Sequence, residues 1–156
     1  MFREMRRKDK LRSKEDCEKM LREVSDGVFS VIGDEGYPYG VPVNHVYVNG
    51  VIYFHSAEEG HKIDAVKANP KASYLVVGAN DVDPIKRTTI YKSVICFGKA
   101  RLVDTWEEKL VALNAVAEKY CQGYMEGAIE EIKEVGPRTA IIAIDIEHMT
   151  GKGLAE

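Results

Sequence analysis

A serine, a histidine and a lysine lie close together where an apolar run gives way to a helical pattern. Ser56 ends the run, and Gly60, His61 and Lys62 begin the next pattern. A helix start exposes unpaired backbone N–H groups and the positive end of the helix dipole. With a serine hydroxyl and a lysine ammonium added, such a start can hold a phosphate group. A polar loop with an exposed lysine is the alternative, and the residues alone leave both interpretations open.

His55 precedes this corner at the end of the apolar run. Histidine changes charge near neutral pH, so its imidazole suits proton transfer or contact with a bound ring. A hydrogen-bonded histidine with a structural role is the alternative. His45, His55 and His61 could also be imagined as a metal triad. No acidic or cysteine ligand completes a recognisable spacing, so we predict no metal site.

A second candidate segment is Tyr91-Lys92-Ser93-Val94, at the start of a long apolar run. Lys92 and Ser93 point to opposite faces of a strand, so at most one of them faces a given ligand. An ordinary strand with a solvent-facing lysine is the alternative. The chain has no GxSxG motif and no cysteine with a persuasive histidine partner, which argues against a nucleophilic hydrolase.

The elements that position the first group run from Tyr39 to Pro70. Asn49-Gly50 lies between two apolar runs and predicts a hairpin, because both turn positions need positive φ. The second strand of this hairpin, Val51 to Ser56, leads into a helix over 60–69 that ends before Pro70. The hairpin therefore carries His55 and Ser56 to the start of that helix.

Apolar residues occupy both faces of this hairpin, with Val41, Val43 and Tyr47 on one side and Val46 and Val48 on the other. A strand with one face in water would alternate more cleanly between apolar and polar residues. The pattern favours a closed or nearly closed barrel whose outer wall is also covered, by helices or by a partner subunit.

Helix signals recur elsewhere in the chain. Ser13 and Asp16 fit a capping box for a helix ending near Asp26, and Thr105 and Glu108 fit a second. A third helical pattern runs over 125–135. Four further apolar runs predict strands, at 28–32, 72–77, 90–103 and 139–146.

The remaining segments are polar. Residues 1–12 predict a flexible N-terminal arm, and 13–156 form a single predicted domain. The segment 78–89 has no periodicity and predicts a long mobile loop. The tail 148–153 is turn-prone, and Gly98 predicts a bulge or bend in its strand. About six strands with helices inserted between them predict a mainly β fold, an antiparallel barrel with peripheral helices.

Composition excludes several classes of protein. The net charge of −3 gives no general attraction to nucleic acid or to an anionic membrane. Three widely spaced cysteines without a CxxC pair argue against a disulfide framework or zinc knuckle. The basic start has no apolar signal core behind it, and no apolar run is long enough to span a membrane, so we expect a cytoplasmic protein.

Three segments together carry a family resemblance: IYFHSAEEGHKIDAVKANPKASYLV, YKSVICFGKARLV and IDIEHMTGK. In this order and spacing they resemble the pyridoxamine 5′-phosphate oxidase-related, FMN-binding split-barrel family, and within it the nitroimidazole-resistance branch. The resemblance covers roughly residues 13–153. It implies a six-stranded antiparallel split β-barrel and an FMN-binding homodimer with two sites at the subunit interface.

The resemblance also implies roles for the first group of residues. His61 and Lys62 take the place of a basic pair on the FMN phosphate, and Ser56 assists them. His55 matches a histidine that relatives place beside the flavin. It is therefore the expected catalytic residue, orienting a small-molecule substrate or donating a proton to it.

Two further segments are implied to contact the cofactor. Val43 and Asn44 match a strand along the isoalloxazine edge, and Ser93 and Val94 match a second strand at the ring. Lys152, in the Thr-Gly-Lys tail, is expected to reach the site or the partner subunit. All of these assignments come from the resemblance and not from spacing alone.

The family's functions leave alternatives. Authentic pyridoxamine phosphate oxidases carry a longer, arginine-rich C-terminal segment that is absent after Ile146, so oxidation of that substrate is not expected. The expected function is an FMN-dependent oxidoreductase that reduces nitroaromatic or other small acceptors. The alternative is a non-catalytic flavin-binding or sequestering protein, or a split-barrel binder of F420 or haem.

Overall fold

A computed structural model describes residues 1–154 of the chain. In that range it has eight strands and four α-helices: β1 (Leu11–Arg12), α1 (Lys14–Glu23), β2 (Asp26–Ile32), β3 (Pro38–Asn44), β4 (Val46–Val48), β5 (Val51–Ser56), α2 (His61–Ala68), β6 (Lys71–Asp83), β7 (Thr88–Leu102), α3 (Trp106–Tyr120), α4 (Met125–Val135) and β8 (Ala140–Gly153). All paired strands are antiparallel. The predicted fold class is confirmed.

The strands form one sheet in the order β3-β2-β6-β7-β8-β5-β4, and β1 pairs with β8. The two edges of this sheet, β3 and β4, are separated in the chain by the single residue His45. The sheet must therefore curl until its edges meet, which makes a barrel that is split at this seam. Two strands exceed the predicted six, because β1 is an added short strand and the first hairpin strand breaks at His45.

Local signals placed several boundaries correctly. Asn49 and Gly50 have φ of 46° and 82°, as the predicted turn requires. Ser13 Oγ accepts a hydrogen bond from the Asp16 N–H at 3.1 Å, and this cap starts α1. Thr105 caps α3 in the same way. Gly98 lies at a register shift between β7 and β8, as predicted.

Two predictions about irregular segments were wrong. Residues 78–89 form no long loop, because β6 continues to Asp83 and pairs with the start of β7 beyond a shift at Gly78. The tail 148–153 is also strand, since β8 pairs with β7 as far as Gly153. Backbone pairing holds both segments, so the strands extend without the apolar alternation that would have revealed them.

The barrel interior holds the main core, and a helix packs at each end. Cys17, Met20 and Leu21 of α1 contribute to this core, and Ile63 and Val66 of α2 do the same. Helix α2 contacts β2 and β7 and places His61 beside Gly33 at the end of β2, while α1 contacts β4, β7 and β8 and places Cys17 beside Gly151 near the end of β8. The two helices thus close opposite ends of the barrel.

The outer wall is covered over only part of its circumference. Helices α3 and α4 pack outside β4, β5 and the first half of β8 and form a second core with them. Across β2, β6 and β7, outward apolar side chains are between 37% and 51% exposed: Val28, Ile32, Val77, Ile95 and Phe97. We call these five residues the bare face. Helices therefore cover the wall at β4, β5 and β8, as one of the two predicted alternatives expected, and covering by a partner subunit stays a prediction.

The N-terminal arm contacts the edge of the bare face. The Phe2 ring stacks on His148 at 4.8 Å and on Phe97 at 5.6 Å between ring centroids. Leu11 and Arg12 form β1 against Lys152 and Gly151 of β8. Whether residues 1–12 are flexible stays a prediction. In the described part of the chain, no helix has the length and apolarity needed to cross a membrane.

Candidate functional site

The corner between β5 and α2 places Ser56 and Lys62 at the α2 end of the barrel. Gly60, with φ of 134°, turns the chain into α2 and supplies no side-chain cap, so the first N–H groups of the helix are free. Within residues 1–154, no hydrogen bond or ion pair engages the side chain of Ser56 or Lys62. The corner therefore offers a hydroxyl, an ammonium and backbone amides to an anion.

His61 makes contacts that the sequence did not reveal. Its Nε2 accepts a hydrogen bond from the Asp34 N–H at 3.1 Å, and its ring stacks on Tyr39 at 4.0 Å. An accepting Nε2 places the proton of the neutral ring on Nδ1. A Cβ at Gly33 would come within 2.8 Å of that Nε2. His61 thus holds the β2–β3 turn, and only Nδ1 remains for a ligand.

His55 and Ser56 lie on opposite faces of β5. Ile52 and Phe54 point into the barrel core, and Ser56 continues that face. Tyr53 belongs to the core beneath α3, and His55 shares its outward side. The imidazole lies at a cavity under α3 and α4 and not at the phosphate corner. One chain therefore does not bring the expected catalytic residue onto the side of Ser56.

The other expected cofactor residues lie at the opposite, α1 end of the barrel. Ser93 pairs with Lys152, and Val94 pairs with Gly151, which packs against Cys17 of α1. Val94 is fully buried in the core, so only its backbone could face a ligand. The Lys152 Nζ lies 5.9 Å from the centroid of the Tyr91 ring.

Val43 and Asn44 end β3 at the same end of the barrel. Val43 packs against the interior core, and Asn44 donates from Nδ2 to the Ser25 carbonyl at 3.2 Å. The distance between Ser56 and Ser93 can be counted along β8, with which both of their strands pair. Ser56 pairs with Ala140, and Ser93 pairs with Lys152, twelve residues later. At roughly 3.3 Å per residue, that is about 40 Å along the strand. A single chain thus forms two groups of candidate residues.

The third histidine, His45, is fully buried at the barrel seam. Its Nε2 lies 2.8 Å from the Leu21 carbonyl and its Nδ1 lies 2.6 Å from the Tyr74 hydroxyl. A carbonyl only accepts, so Nε2 carries the proton and Tyr74 donates to Nδ1. Burial lowers the pKa of His45 to about 4 and keeps the ring neutral. No group of three metal-ligating side chains occurs within residues 1–154.

Helix α3 adds two polar side chains to this seam. Lys119 Nζ donates to the carbonyls of Val24 at 2.7 Å, His45 at 3.0 Å and Leu21 at 3.4 Å. The Tyr120 hydroxyl also donates to the His45 carbonyl. Burial lowers the pKa of Lys119 to about 8. Sequence reasoning missed this role, because a lysine in a helix gives no sign that it will be buried.

A cavity of about 200 Å³ separates the outer face of β5 from α3 and α4. Its walls are mainly apolar, from α3 (Leu113, Val116, Ala117) and α4 (Ala128, Ile132, Val135). His55, Cys121 and Glu131 supply polar atoms at its boundary. The sequence showed the apolar sides of both helices but not the space between them and the sheet. One available signal was the pair of small residues, Ala117 and Ala128, on facing helices.

A family model and several solved structures match most of this chain. The family model described as pyridoxamine 5′-phosphate oxidase matches residues 13–153. A candidate 5-nitroimidazole antibiotic resistance protein from Bacteroides thetaiotaomicron is 24% identical, with a TM-score of 0.75 over 91% of this chain and 85% of that one. A search of curated proteins gives no match.

Two further solved structures share the fold. A conserved hypothetical protein of Mycobacterium tuberculosis is 17% identical, with a TM-score of 0.83 over 96% of this chain and 90% of that one. An FAD-binding protein of Mesorhizobium loti is 23% identical, with a TM-score of 0.66 over 93% and 97% of the two chains. At these identities the likeness establishes the split-barrel fold and leaves the ligand to be argued from the site.

Proposed function

The chain belongs to the pyridoxamine 5′-phosphate oxidase family, and from that premise we propose that it is an FMN-dependent oxidoreductase that reduces small acceptors such as nitroaromatic compounds. The observation that carries the proposal is the α2 corner. There, Ser56 and Lys62 have no partner within residues 1–154, and the first N–H groups of α2 have no side-chain cap. Polar groups arranged in this way suit a phosphate monoester.

The corner fits a flavin phosphate in its donor set. Lys62 would hold the phosphate as a point charge, the Ser56 hydroxyl would donate to one oxygen, and the α2 amides would donate to others. Nδ1 of His61 can add one more donor while Nε2 keeps its bond to Asp34. Glu58 and Glu59 precede the helix and are exposed, so water screens their repulsion of the phosphate.

The ring end of the cofactor requires a second copy of the chain. Ser93 and Lys152 lie at the far end of β8 from Ser56, so one chain cannot place both groups on one flavin. We therefore propose a homodimer in which the α2 corner of one copy meets the α1 end of the other. The bare face, with five outward apolar side chains, supplies a surface for this contact.

The residues of the chain would then have separate roles in binding the cofactor and in positioning the acceptor. Bound FMN would supply the two-electron redox chemistry, and the protein would supply orientation, exclusion of water and protons. Lys62 and Ser56 would fix the phosphate end. His55, which has no hydrogen-bonding partner within residues 1–154, would orient the acceptor or give it a proton.

The relatives support a flavin cofactor. One structural neighbour is described as an FAD-binding protein and another as a candidate for 5-nitroimidazole resistance. An absorbance spectrum of the purified protein tests the cofactor, since flavin, F420 and haem have distinct bands. We expect flavin bands, and release of the cofactor followed by chromatography should identify FMN.

Catalysis needs a separate measurement. After anaerobic photoreduction, addition of a nitroimidazole should reoxidise the protein-bound flavin faster than it reoxidises free FMN. Reoxidation at the free-flavin rate would contradict the oxidoreductase proposal and leave a flavin-binding protein.

One observation favours that second function, a flavin-binding or sequestering protein without turnover. His55 and Ser56 point to opposite faces of β5, so the expected proton donor does not lie on the phosphate side. A protein that only binds flavin needs the α2 corner but does not need a proton donor beside the flavin ring. In that case His55→Ala would leave both flavin affinity and the reoxidation rate unchanged.

A further inference from the structure

The cavity beneath α3 and α4 is a second candidate site, formed by one chain alone. Its opening is separate from the α2 corner, because His55 faces the cavity while Ser56 faces the barrel core. We propose that this cavity binds an uncharged, single-ring small molecule whose polar group hydrogen-bonds to His55. The inference does not depend on a bound flavin, and it assigns His55 to this cavity in place of the acid role beside the flavin.

Volume supports a ligand of this size. The cavity measures about 200 Å³. An enclosed apolar cavity of about 150 Å³ holds a benzene molecule, whereas this one opens to solvent beside the exposed His55 and Glu131. The space in this chain therefore accommodates one ring with a short polar substituent.

Packing of α4 explains why the space persists. None of the α4 residues is buried, although apolar side chains recur along the helix at 125, 129, 132 and 135. Ala117 and Ala128 both line the cavity, and their short side chains leave it unfilled. An apolar void loses dispersion contacts on its walls, so a bound apolar ring would restore them.

Charge and polarity favour a neutral ligand. Glu131 is the charged side chain on the lining, and no lysine or arginine accompanies it, so its carboxylate repels an anion. The His55 imidazole offers one donor and one acceptor and has no protein partner within residues 1–154. A hydroxyl or a ring nitrogen on the ligand would satisfy it.

Cys121 provides a reporter for occupancy. It lines the cavity and is half-buried, whereas Cys17 and Cys96 are buried in the barrel core. Iodoacetamide should therefore alkylate one thiol in the native chain, and intact mass would follow the reaction. A ligand in the cavity would slow alkylation in proportion to its occupancy.

The experiment compares two probes that differ in charge, 4-fluorobenzyl alcohol and 4-fluorobenzoate. Fluorine-19 NMR should show saturable broadening for the alcohol and none for the benzoate. Alkylation of Cys121 should slow about tenfold when the alcohol is near ten times its dissociation constant. No saturable binding of the alcohol, or equal binding of the benzoate, would overturn the proposal.

Filling the cavity provides the structural control. Ala128→Leu should abolish binding of the alcohol, while Glu130→Leu, an exposed change on the same helix, should leave it intact. Val116→Phe fills the same space from α3 and replaces Ala128→Leu if that variant does not fold. Retained binding in a folded, filled variant would contradict the site. These outcomes do not depend on the flavin spectrum. The proposal of a ligand in this cavity and the proposal of a flavin-dependent function can therefore be refuted independently.

Discussion

Acid should destabilise the fold through His45, and the size of the effect follows from the burial of its ring. The imidazole is fully buried and neutral, and its pKa is about 4 instead of 6.5. Between those two pH values the unfolded chain binds a proton that the folded chain does not. Stability is therefore lost as the pH falls through 6.5, and the loss levels off below about 4.

The magnitude is set by the pKa difference. At 1.36 kcal/mol per pKa unit, acidification from pH 7 to pH 4 should remove about 3 kcal/mol through this residue. Carboxylates elsewhere also titrate in this range, so the measurement needs a matched variant. His45→Gln keeps a donor for the Leu21 carbonyl and an acceptor for Tyr74 but cannot be protonated.

Urea unfolding of both proteins at several pH values gives the comparison. At pH 7 the wild type should be the more stable protein, because glutamine fits the two partners less well than imidazole does. As the pH falls to 4, the difference between wild type and His45→Gln should shift by about 3 kcal/mol in favour of the variant. A difference that stays constant with pH would refute a buried, neutral His45 at the seam.

Three other perturbations test the corner, the strand bend and the bare face. Lys62→Ala should weaken FMN binding about tenfold or more, because a charge-assisted hydrogen bond from its ammonium contributes about 1.5–3 kcal/mol. His55→Ala should weaken FMN binding less. Full flavin occupancy of both variants after dialysis would refute the phosphate assignment. Gly98→Ala should lower the urea midpoint strongly, since its Cβ would come within 2.1 Å of a β8 carbonyl oxygen, while Gly127→Ala, in open space on α4, should raise it. Phe97→Glu should give a monomer in light scattering if the bare face is the dimer contact, and an unchanged dimer would exclude that face.

The sequence predicted best what neighbouring residues decide. Asn49-Gly50 set its turn because two adjacent positions need positive φ, and Ser13 set the start of α1 through a bond to a residue three positions on. These signals act within a few residues. They depend little on the rest of the fold.

Non-local pairing explains the errors. The segments 79–83 and 148–153 are polar, yet each pairs with β7 as strand, and a turn over 84–87 joins the first of them to β7. No local pattern reveals that partner, because a ladder of backbone hydrogen bonds is indifferent to side-chain polarity. The sequence therefore ended both strands too early.

The sequence named candidate site residues but did not show how the fold arranges them. Alternation along a strand separates His55 from Ser56, as it separates Lys92 from Ser93. The stacking of His61 on Tyr39 depends on where the β2–β3 turn lies, which the sequence does not indicate. Burial of Lys119 likewise depends on how α3 docks.

The seam at His45 has a consequence for how the barrel moves. Strands β3 and β4 share no backbone ladder, so the Tyr74 side chain of β6, the Lys119 side chain of α3 and the Leu21 carbonyl of α1 hold the joint at His45. Opening there would break a few hydrogen bonds and leave every strand pair intact. Hydrogen–deuterium exchange should therefore show the amides beside this joint exchanging sooner than those of β6 and β7. The barrel would then open locally between β3 and β4 while the rest of the sheet stays paired.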